Sequence, residues 1–494
     1  MDSQPTTATV DKSAADRPFL APAVSWALMV ALGLGIWAWD VVLQRRPDGV
    51  NAQGWQLLAI FLPTILGLML RPLPGGAVVL IALTVAILTQ ALTVAKALGG
   101  FANSSVWLVL AAYFMSRGII KTGLARRIAL TFVRLLGGNT LGLSYALVAT
   151  DTVLAGMIPS NAARVGGVVL PIARSLAELY KSFPGSTAGL LGTFLLLNLY
   201  QADMAACAMF LTGQASNPLA AQAAARVTED AVNLHYGNWL LYASVPGVVT
   251  LLLVPYLTYR WTKPGIRHTP HAVEMAREQL VSMGPMGGRE LVVLVVFVGV
   301  CVSWIVDGFK FNGSNVAGIA LAGVAVLLLT GILTWEDAVG ERAAWDVFIW
   351  YGGLVQLGVL LGETDIPKVF AESMAYELRS LPLILLFLTT LLVYFYAHYA
   401  FASITAHIVS MYAAFVGVLI AAGAPPALAA CAFAFLSNLS AGLTHYGSTP
   451  GPIIFSTNYV PMETWWRVGF GLSVVNVAIY LSVGLAWWKV LGLW

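Results

Sequence analysis

Residues 158–164 read IPSNAAR, residues 211–218 read LTGQASNP, residues 401–407 read FASITAH and residues 443–450 read LTHYGSTP, all four set inside hydrophobic sequence. The first two belong to one half of the chain and the last two to the other. A helix facing lipid has no use for such groups. Broken backbone at membrane depth is tolerated where it is buried in protein or lines a polar cavity, so the paired breaks predict one solute site built from both halves.

Composition supports a membrane setting. Apolar residues make up 59% of the 494 positions and charged residues only 10%, against roughly 25% charged in soluble domains. Apolar spans are expected over 23–43, 54–70, 77–92, 105–120, 190–211, 239–261, 291–305, 316–333, 346–361, 427–443 and 468–490, each approaching the roughly 20 residues that cross about 30 Å of hydrocarbon. Two longer stretches, 141–176 and 383–422, carry polar residues at their centres and read as re-entrant hairpins followed by helices. Net charge is +3 and the basic residues are scattered over loops, which excludes a nucleic-acid partner. Cys207, Cys301 and Cys431 match no metal-ligand or redox spacing and are read as packing residues. The many tryptophans, including Trp465, Trp466, Trp487, Trp488 and Trp494, are expected in interfacial belts.

The chain divides at a polar segment. Residues 1–22 are expected to form a cytoplasmic N-terminal tail, 23–259 a first repeat containing the first hairpin, 260–290 a basic cytoplasmic linker, and 291–494 a second, inverted repeat containing the second hairpin. The apolar run after residue 22 is full-length and reads as a retained span, and the tail lacks a transit-peptide composition, so a multi-pass protein of a bacterial inner membrane is expected. In the linker Arg260, Lys263, Arg267, Arg277 and Arg289 outnumber Glu274, Glu278 and Glu290, which places it on the cytoplasmic side. Sliding the second half back by about 240 positions sets ILTQALT at Ile87 on LLTGILT at Leu328, and Ser160 lies 243 positions before Ser403. The segment 117–134 holds five basic residues and no acid, whereas 362–379 holds Glu363, Asp365, Glu372 and Glu377 against Lys368 and Arg379. That reversal is what two copies of opposite orientation would show.

Each polar motif supports a chemical reading and a structural one. Pro159 interrupts a helix, and Ser160 and Asn161 then offer donors and acceptors at a hairpin tip; a helix starting after the break aims its free N–H groups at an anion, and a helix cap would use the same residues. Ser403 and Thr405 occupy the matching depth in the second half. Thr212, Gly213, Ser216, Asn217 and Pro218 in one half, with Thr444, Gly447, Ser448, Thr449 and Pro450 in the other, predict unwound turns whose backbone can coordinate a cation by carbonyl or an anion by amide. Arg164, His407 and His445 are the ionisable groups nearest the breaks. Arg164 is read as a partner for a solute carboxylate, with a structural pair to Asp151 as the alternative; the histidines are read as ligand contacts or as neutral packing groups. Asp203 is open to a proton, to Na⁺ or to a structural hydrogen bond. No GxSxG, HExxH or two-aspartate arrangement appears, so an intramembrane enzyme is disfavoured, and duplicated hairpins suit alternating access better than an open channel.

With these motifs in view, the chain resembles the divalent anion/Na⁺ symporter family over nearly its whole length. Its hallmark Ser-Asn-Thr triplets are matched by Ser160-Asn161-Ala162 and Ser403-Ile404-Thr405, and the PSNAAR, SITAH and HYGSTP contexts look most like the exchanger branch of plastid 2-oxoglutarate/malate translocators and bacterial citrate/succinate or tartrate/succinate antiporters. The resemblance implies an all-α inverted-repeat fold, a homodimer with a scaffold and an elevator-type transport domain, and di- or tricarboxylate substrates. It implies a substrate site at Ser160, Asn161, Ala162, Ser403 and Thr405, with Arg164, His407, His445, Ser448, Thr449 and Pro450 nearby. It also implies Na⁺ sites at Ser160, Asn161 and Gly213 and at Thr405 and Gly447. Ala162 and Ile404 depart from the triplets, and an isoleucine supplies no amide oxygen, so Na⁺ coupling is disfavoured, no cofactor is expected, and exchange is preferred to Na⁺ symport of the same anions.

Overall fold

A computed structural model describes residues 20–494 except 45, 48 and 157; most of the expected tail lies outside the described residues. The described residues form helices joined by short turns, and the order of the helices repeats. The first half contains α1 (Pro22–Val41), α2 (Ala52–Leu70), α3 (Gly75–Leu88), α4 (Val94–Leu98), α5 (Ser104–Thr122), α6 (Leu124–Leu136), α7 (Thr140–Ala155), α8 (Leu170–Leu179), α9 (Gly192–Met209), α10 (Asn217–Val227) and α11 (Tyr236–Thr262). After α12 (Pro270–Met283) the second half contains α13 (Gly288–Phe311), α14 (Val316–Leu329), α15 (Trp335–Gly340), α16 (Arg342–Gly362), α17 (Ile366–Glu377), α18 (Leu383–Ala397), α19 (Ile404–His407), α20 (Ala413–Ala421), α21 (Pro426–Leu439), α22 (Pro450–Phe455), α23 (Met462–Ile479) and α24 (Leu485–Val490). Among the described residues nine helices are long and apolar enough to cross a membrane, two of them being the arms of the second hairpin.

Local chemistry sets these boundaries. Asn51, Asn103 and Asn139 each accept a backbone N–H at the start of α2, α5 and α7, at 2.7, 2.9 and 2.8 Å, supplying an acceptor to N–H groups that have no partner inside the helix. Proline opens α10, α21 and α22, where its missing N–H costs nothing. Gly123 ends α5 with φ of +81°, a conformation that admits glycine without strain.

The packing exchanges partners between the halves. Helix α3 lies on α16, while α14, the counterpart of α3, lies on α5, the counterpart of α16. Each chain break repeats this swap: α22 packs on the π-helical segment Ala162–Val169 after the first tip, and α10 packs on the π-helical segment Ile408–Tyr412 after the second. Such segments are rare and concentrate at functional positions. Two hydrophobic cores result. The smaller joins α2, α3 and α16 through Leu57, Phe61, Val79, Leu83, Leu354 and Leu357; the larger contains the hairpins together with α9, α11, α21 and α23.

The expected linker is largely helical: α11 runs three residues into it, and α12 buries Ala272 and Ala276 in a packing against α6. Arg127 of α6 also donates to both Glu290 carboxylate oxygens at 3.0 and 3.1 Å and to the Gly284 carbonyl at 2.9 Å. The tryptophans are not one belt. Trp465 and Trp488 are fully buried, and the indole N–H groups of Trp487 and Trp488 donate to the Leu241 and Tyr242 carbonyls of α11, so Trp488 is a core residue whose polar handle is satisfied inside the protein, while the buried Trp465 indole N–H has no partner among the described residues.

Candidate functional site

The first hairpin consists of α7, a non-helical tip and the arm that begins at Ala162 and continues through α8. The second consists of α18, a tip at residues 401–403 and the arm that begins at Ile404 and continues through α20. Ser160 and Ser403 start these arms alike: Ser160 Oγ accepts from the Ala163 N–H at 3.2 Å and Ser403 Oγ from the Ala406 N–H at 3.4 Å. Both are therefore helix caps, and both also line a cavity.

That cavity measures about 390 Å³, inside the range of roughly 300–1,000 Å³ typical of small-molecule sites. Its wall takes Ser160, Asn161 and Ala162 from the first tip, Ser403, Ile404 and Thr405 from the second, Gln214 and Ala215 from one unwound turn, and Ser448 and Thr449 from the other. The rest of the wall comes from the α2–α3 connection, with Arg71, from the start of α3, with Gly75, and from α16, with Asp346 and Trp350; Tyr113 of α5 completes it. Asn161 joins the halves directly: its amide donates to Ser448 Oγ at 2.8 Å, and its carbonyl accepts from Thr449 Oγ1 at 2.9 Å. Hydroxyls, two side-chain amides and the starts of two long helical arms thus converge on one space. That set matches an anion better than a cation, since helix N-termini present N–H groups and the positive end of the dipole.

The unwound turns are held from below. Asn217 donates to the Cys207 and Phe210 carbonyls at 2.8 and 2.9 Å and accepts from Asn438 at 2.9 Å. From α9, Tyr200 donates to the Ala441 and Thr444 carbonyls at 2.8 and 3.1 Å, and Gln201 to the Gly442 carbonyl at 2.8 Å. The polar residues of α9 therefore replace the backbone bonds that the broken helix of the other half has lost, as buried carbonyls require.

Several predicted site residues lie elsewhere. Arg164 is fully buried and absent from the cavity wall. Its guanidinium donates to Asp151 at 3.0 Å, to Asp203 at 2.6 Å, and to the Ile158 and Gly213 carbonyls at 2.8 and 2.6 Å, with Cys207 Sγ at 3.2 Å. The expectation that it meets a solute carboxylate is corrected in favour of its alternative, the structural pair with Asp151: two protein carboxyl groups hold the guanidinium, and it fastens the tip to the unwound turn. Asp203 is accordingly part of an ion pair, and Cys207 lies in the same cluster. His407 is fully buried and its Nε2 donates to the Tyr394 carbonyl at 3.0 Å. His445 is half-buried, stacks on Phe455 at 4.3 Å and accepts from the Trp466 indole at 3.3 Å. Pro450 is buried at the start of α22. None of the three faces the cavity. Gly213 and Gly447, expected at cation sites, have their carbonyls taken by Arg164 and by His398 Nε2 at 2.9 Å.

Sequence reasoning missed Arg71, Asp346, Tyr113 and Trp350. Arg71 and Asp346 are charged residues at the ends of apolar spans, where snorkelling to the membrane surface is the ordinary expectation. The available signal was Arg71 itself, which precedes Pro72 and Pro74 at a chain reversal.

Comparison with known proteins agrees with this architecture. Residues 23–494 match the family described as the sodium:sulfate symporter transmembrane region. The Bacillus subtilis (strain 168) protein named "Putative malate transporter YflS" is 43% identical over 94% of this chain and 96% of its own length. Dicarboxylate transporter 1, chloroplastic, of Arabidopsis thaliana is 41% identical over 98% of this chain and 87% of its own length. Inner membrane protein YbhI of Escherichia coli (strain K12) is 33% identical over 95% and 98%. The solved structure of Neisseria gonorrhoeae MtrF, described among antimetabolite efflux pumps, superposes with a TM-score of 0.59 over 96% of both chains at 16% identity, a likeness of fold. With its duplicated hairpins and its match from residue 23 to residue 494, the chain belongs to the sodium:sulfate symporter (divalent anion/Na⁺ symporter) family of membrane transporters and resembles the plastid dicarboxylate translocators.

Proposed function

We propose that this transporter exchanges small dicarboxylates of the 2-oxoglutarate, malate and succinate class. The observation that carries the reading is the convergence of both hairpin tips and both unwound turns on one cavity lined by Ser160, Asn161, Ser403, Thr405, Ser448 and Thr449. The names of the bacterial and chloroplast relatives support the substrate class. In this reading the two hairpins and the turns behind them move as one body past α2, α3 and α16, elevator-fashion, in a homodimer of a bacterial inner membrane with its N-terminus cytoplasmic.

Exchange is favoured over Na⁺ symport by what occupies the turn carbonyls. A Na⁺ ion at either turn needs carbonyl oxygens, and those of Gly213 and Gly447 accept from Arg164 and His398. Fixed donors do the structural work that a bound cation would otherwise do, so the tips are organised without Na⁺. The empty carrier then presents the N–H groups and hydroxyls of two tips with no anion between them. Moving such a site through the apolar interior leaves polar groups desolvated and unpaired, at a cost of roughly 1–3 kcal/mol for each unpaired group. A second anion removes that cost on the return, which couples outward to inward movement.

The test is uptake of labelled 2-oxoglutarate by proteoliposomes, empty or preloaded with malate or succinate, with and without an inward Na⁺ gradient. Uptake after preloading alone and indifferent to Na⁺ is expected. Na⁺-driven uptake into empty vesicles would establish symport instead, and absence of uptake in every condition would remove the substrate class.

A further inference from the structure

We propose that the cluster fastening the first hairpin is a proton-binding site, in which Asp151 and Asp203 share one proton and leave the Arg164 group without net charge. The inference is independent of the substrate and of the exchange reading. It concerns three side chains that lie outside the cavity wall.

The cluster contains one base and two acids, and all three are fully buried. A guanidinium has five N–H groups, and here each one has a partner. Nε donates to Asp151 Oδ1, Nη1 to the Ile158 and Gly213 carbonyls, and Nη2 to Asp203 Oδ1 and Cys207 Sγ. Nothing remains for the second oxygen of either acid. Asp151 Oδ2 and Asp203 Oδ2 are buried without a hydrogen-bond partner among the described residues, and the two acid side chains lie within hydrogen-bond reach of each other.

Ionised carboxylates only accept hydrogen bonds, so two of them side by side cannot bond. They repel, and with a single guanidinium the cluster would keep an uncompensated negative charge away from water, which costs several kcal/mol. The other titratable groups that face it bring no positive charge. They are Cys207 and Tyr200 on α9 and Tyr113 on α5, and the Tyr200 hydroxyl is committed to the Ala441 and Thr444 carbonyls. One proton removes both faults: it turns one carboxyl group into a donor for the other, and it balances the charge. Paired carboxyl groups share a proton for this reason. Among the described residues no group of three His, Cys, Asp or Glu side chains is placed to hold a metal ion.

The experiment compares infrared spectra of purified wild type, Asp203→Asn and Asp151→Asn at neutral pH, where a protonated carboxyl group absorbs apart from carboxylates. The wild type should show one protonated carboxyl group per chain that both variants lack. In each variant the amide donates the hydrogen bond in place of the proton, and the remaining ionised aspartate balances Arg164, so both should fold. Stability gives a second readout. Both carboxyl groups are ionised in the unfolded chain at neutral pH, so folding takes up a proton and stability falls as pH rises. For one proton the folding equilibrium changes by up to about tenfold per pH unit, and Asp203→Asn should remove that share of the slope. Absence of the band from the wild type, its persistence in either variant, failure of both variants to fold, or an unchanged pH slope would overturn the assignment. So would a melting temperature that falls in the wild type, and not in Asp203→Asn, when Na⁺ is replaced by N-methylglucamine, because the two oxygens would then belong to a metal cation.

Discussion

Two clasps hold the hairpins of this transporter, and they use different chemistry at equivalent positions. Arg164 and His407 stand 243 positions apart, and so do Asp151 and Tyr394. In the first hairpin Arg164 reaches back to Asp151 on the other arm and forward to Asp203 on α9. In the second, His407 reaches back to the Tyr394 carbonyl and stacks on the Tyr394 ring at 4.2 Å, while the Tyr394 hydroxyl bonds Ser437 on α21 at 2.6 Å. The geometry is shared: a donor on one arm, a partner on the other, and a third group on the helix that leads to the unwound turn. The fold requires a bridge at this place, and it does not require a charge. The consequence lies in how each clasp fails, since an ion pair broken at one end leaves a buried charge, and a neutral bridge does not.

The largest expected effect breaks the ionic clasp. Arg164→Gln leaves Asp151 and Asp203 buried without their cation and should lower stability by about 3–5 kcal/mol, seen as a large drop in melting temperature and loss of exchange. Unchanged melting would mean that the clasp does not hold the hairpin. Replacing the three residues together by apolar ones (Arg164→Met, Asp151→Leu, Asp203→Leu) should recover most of that stability, because no unpaired charge remains. A triple variant less stable than Arg164→Gln would show that the charges themselves specify the tip.

The neutral clasp should give smaller losses. His407→Leu removes one donor from the Tyr394 carbonyl and should cost about 1–3 kcal/mol; a loss equal to that of Arg164→Gln would erase the distinction between the halves. Asn161→Ala removes the bridge to Ser448 and Thr449 and should cost about 1–2 kcal/mol in melting experiments, with a much larger fall in exchange rate because Asn161 lines the cavity. Tyr394→Phe deletes a single hydroxyl contact to Ser437 and should cost about 0.5–1.5 kcal/mol, the smallest effect of the series.

The contrast also explains which site residues could be read from sequence. Ser160, Asn161, Ser403, Thr405, Ser448 and Thr449 sit beside chain breaks, and a break inside apolar sequence is visible as proline, glycine and small polar residues. All six reach the cavity. Arg164 and His407 were legible as buried ionisable groups with a structural or a ligand-binding role, and the choice between the two was not, because it rests on Asp203 reaching Arg164 from α9 and on Tyr394 facing His407 across the folded hairpin.

By itself the sequence determined that the protein is helical and membrane-embedded, that it is built from two related halves, and where each half is broken. These follow from local causes: hydrophobic length, proline and glycine at fixed places, and a pattern that returns after about 240 residues. Only the tertiary structure decided which polar groups face the cavity and which face one another. Arg71 and Asp346 enter the wall through the packing of α2, α3 and α16, whereas Arg164 is drawn away from it by two carboxyl groups. The physical reason is that a buried charge goes to whichever partner the fold brings within hydrogen-bond reach, and that reach is set by contacts between the halves.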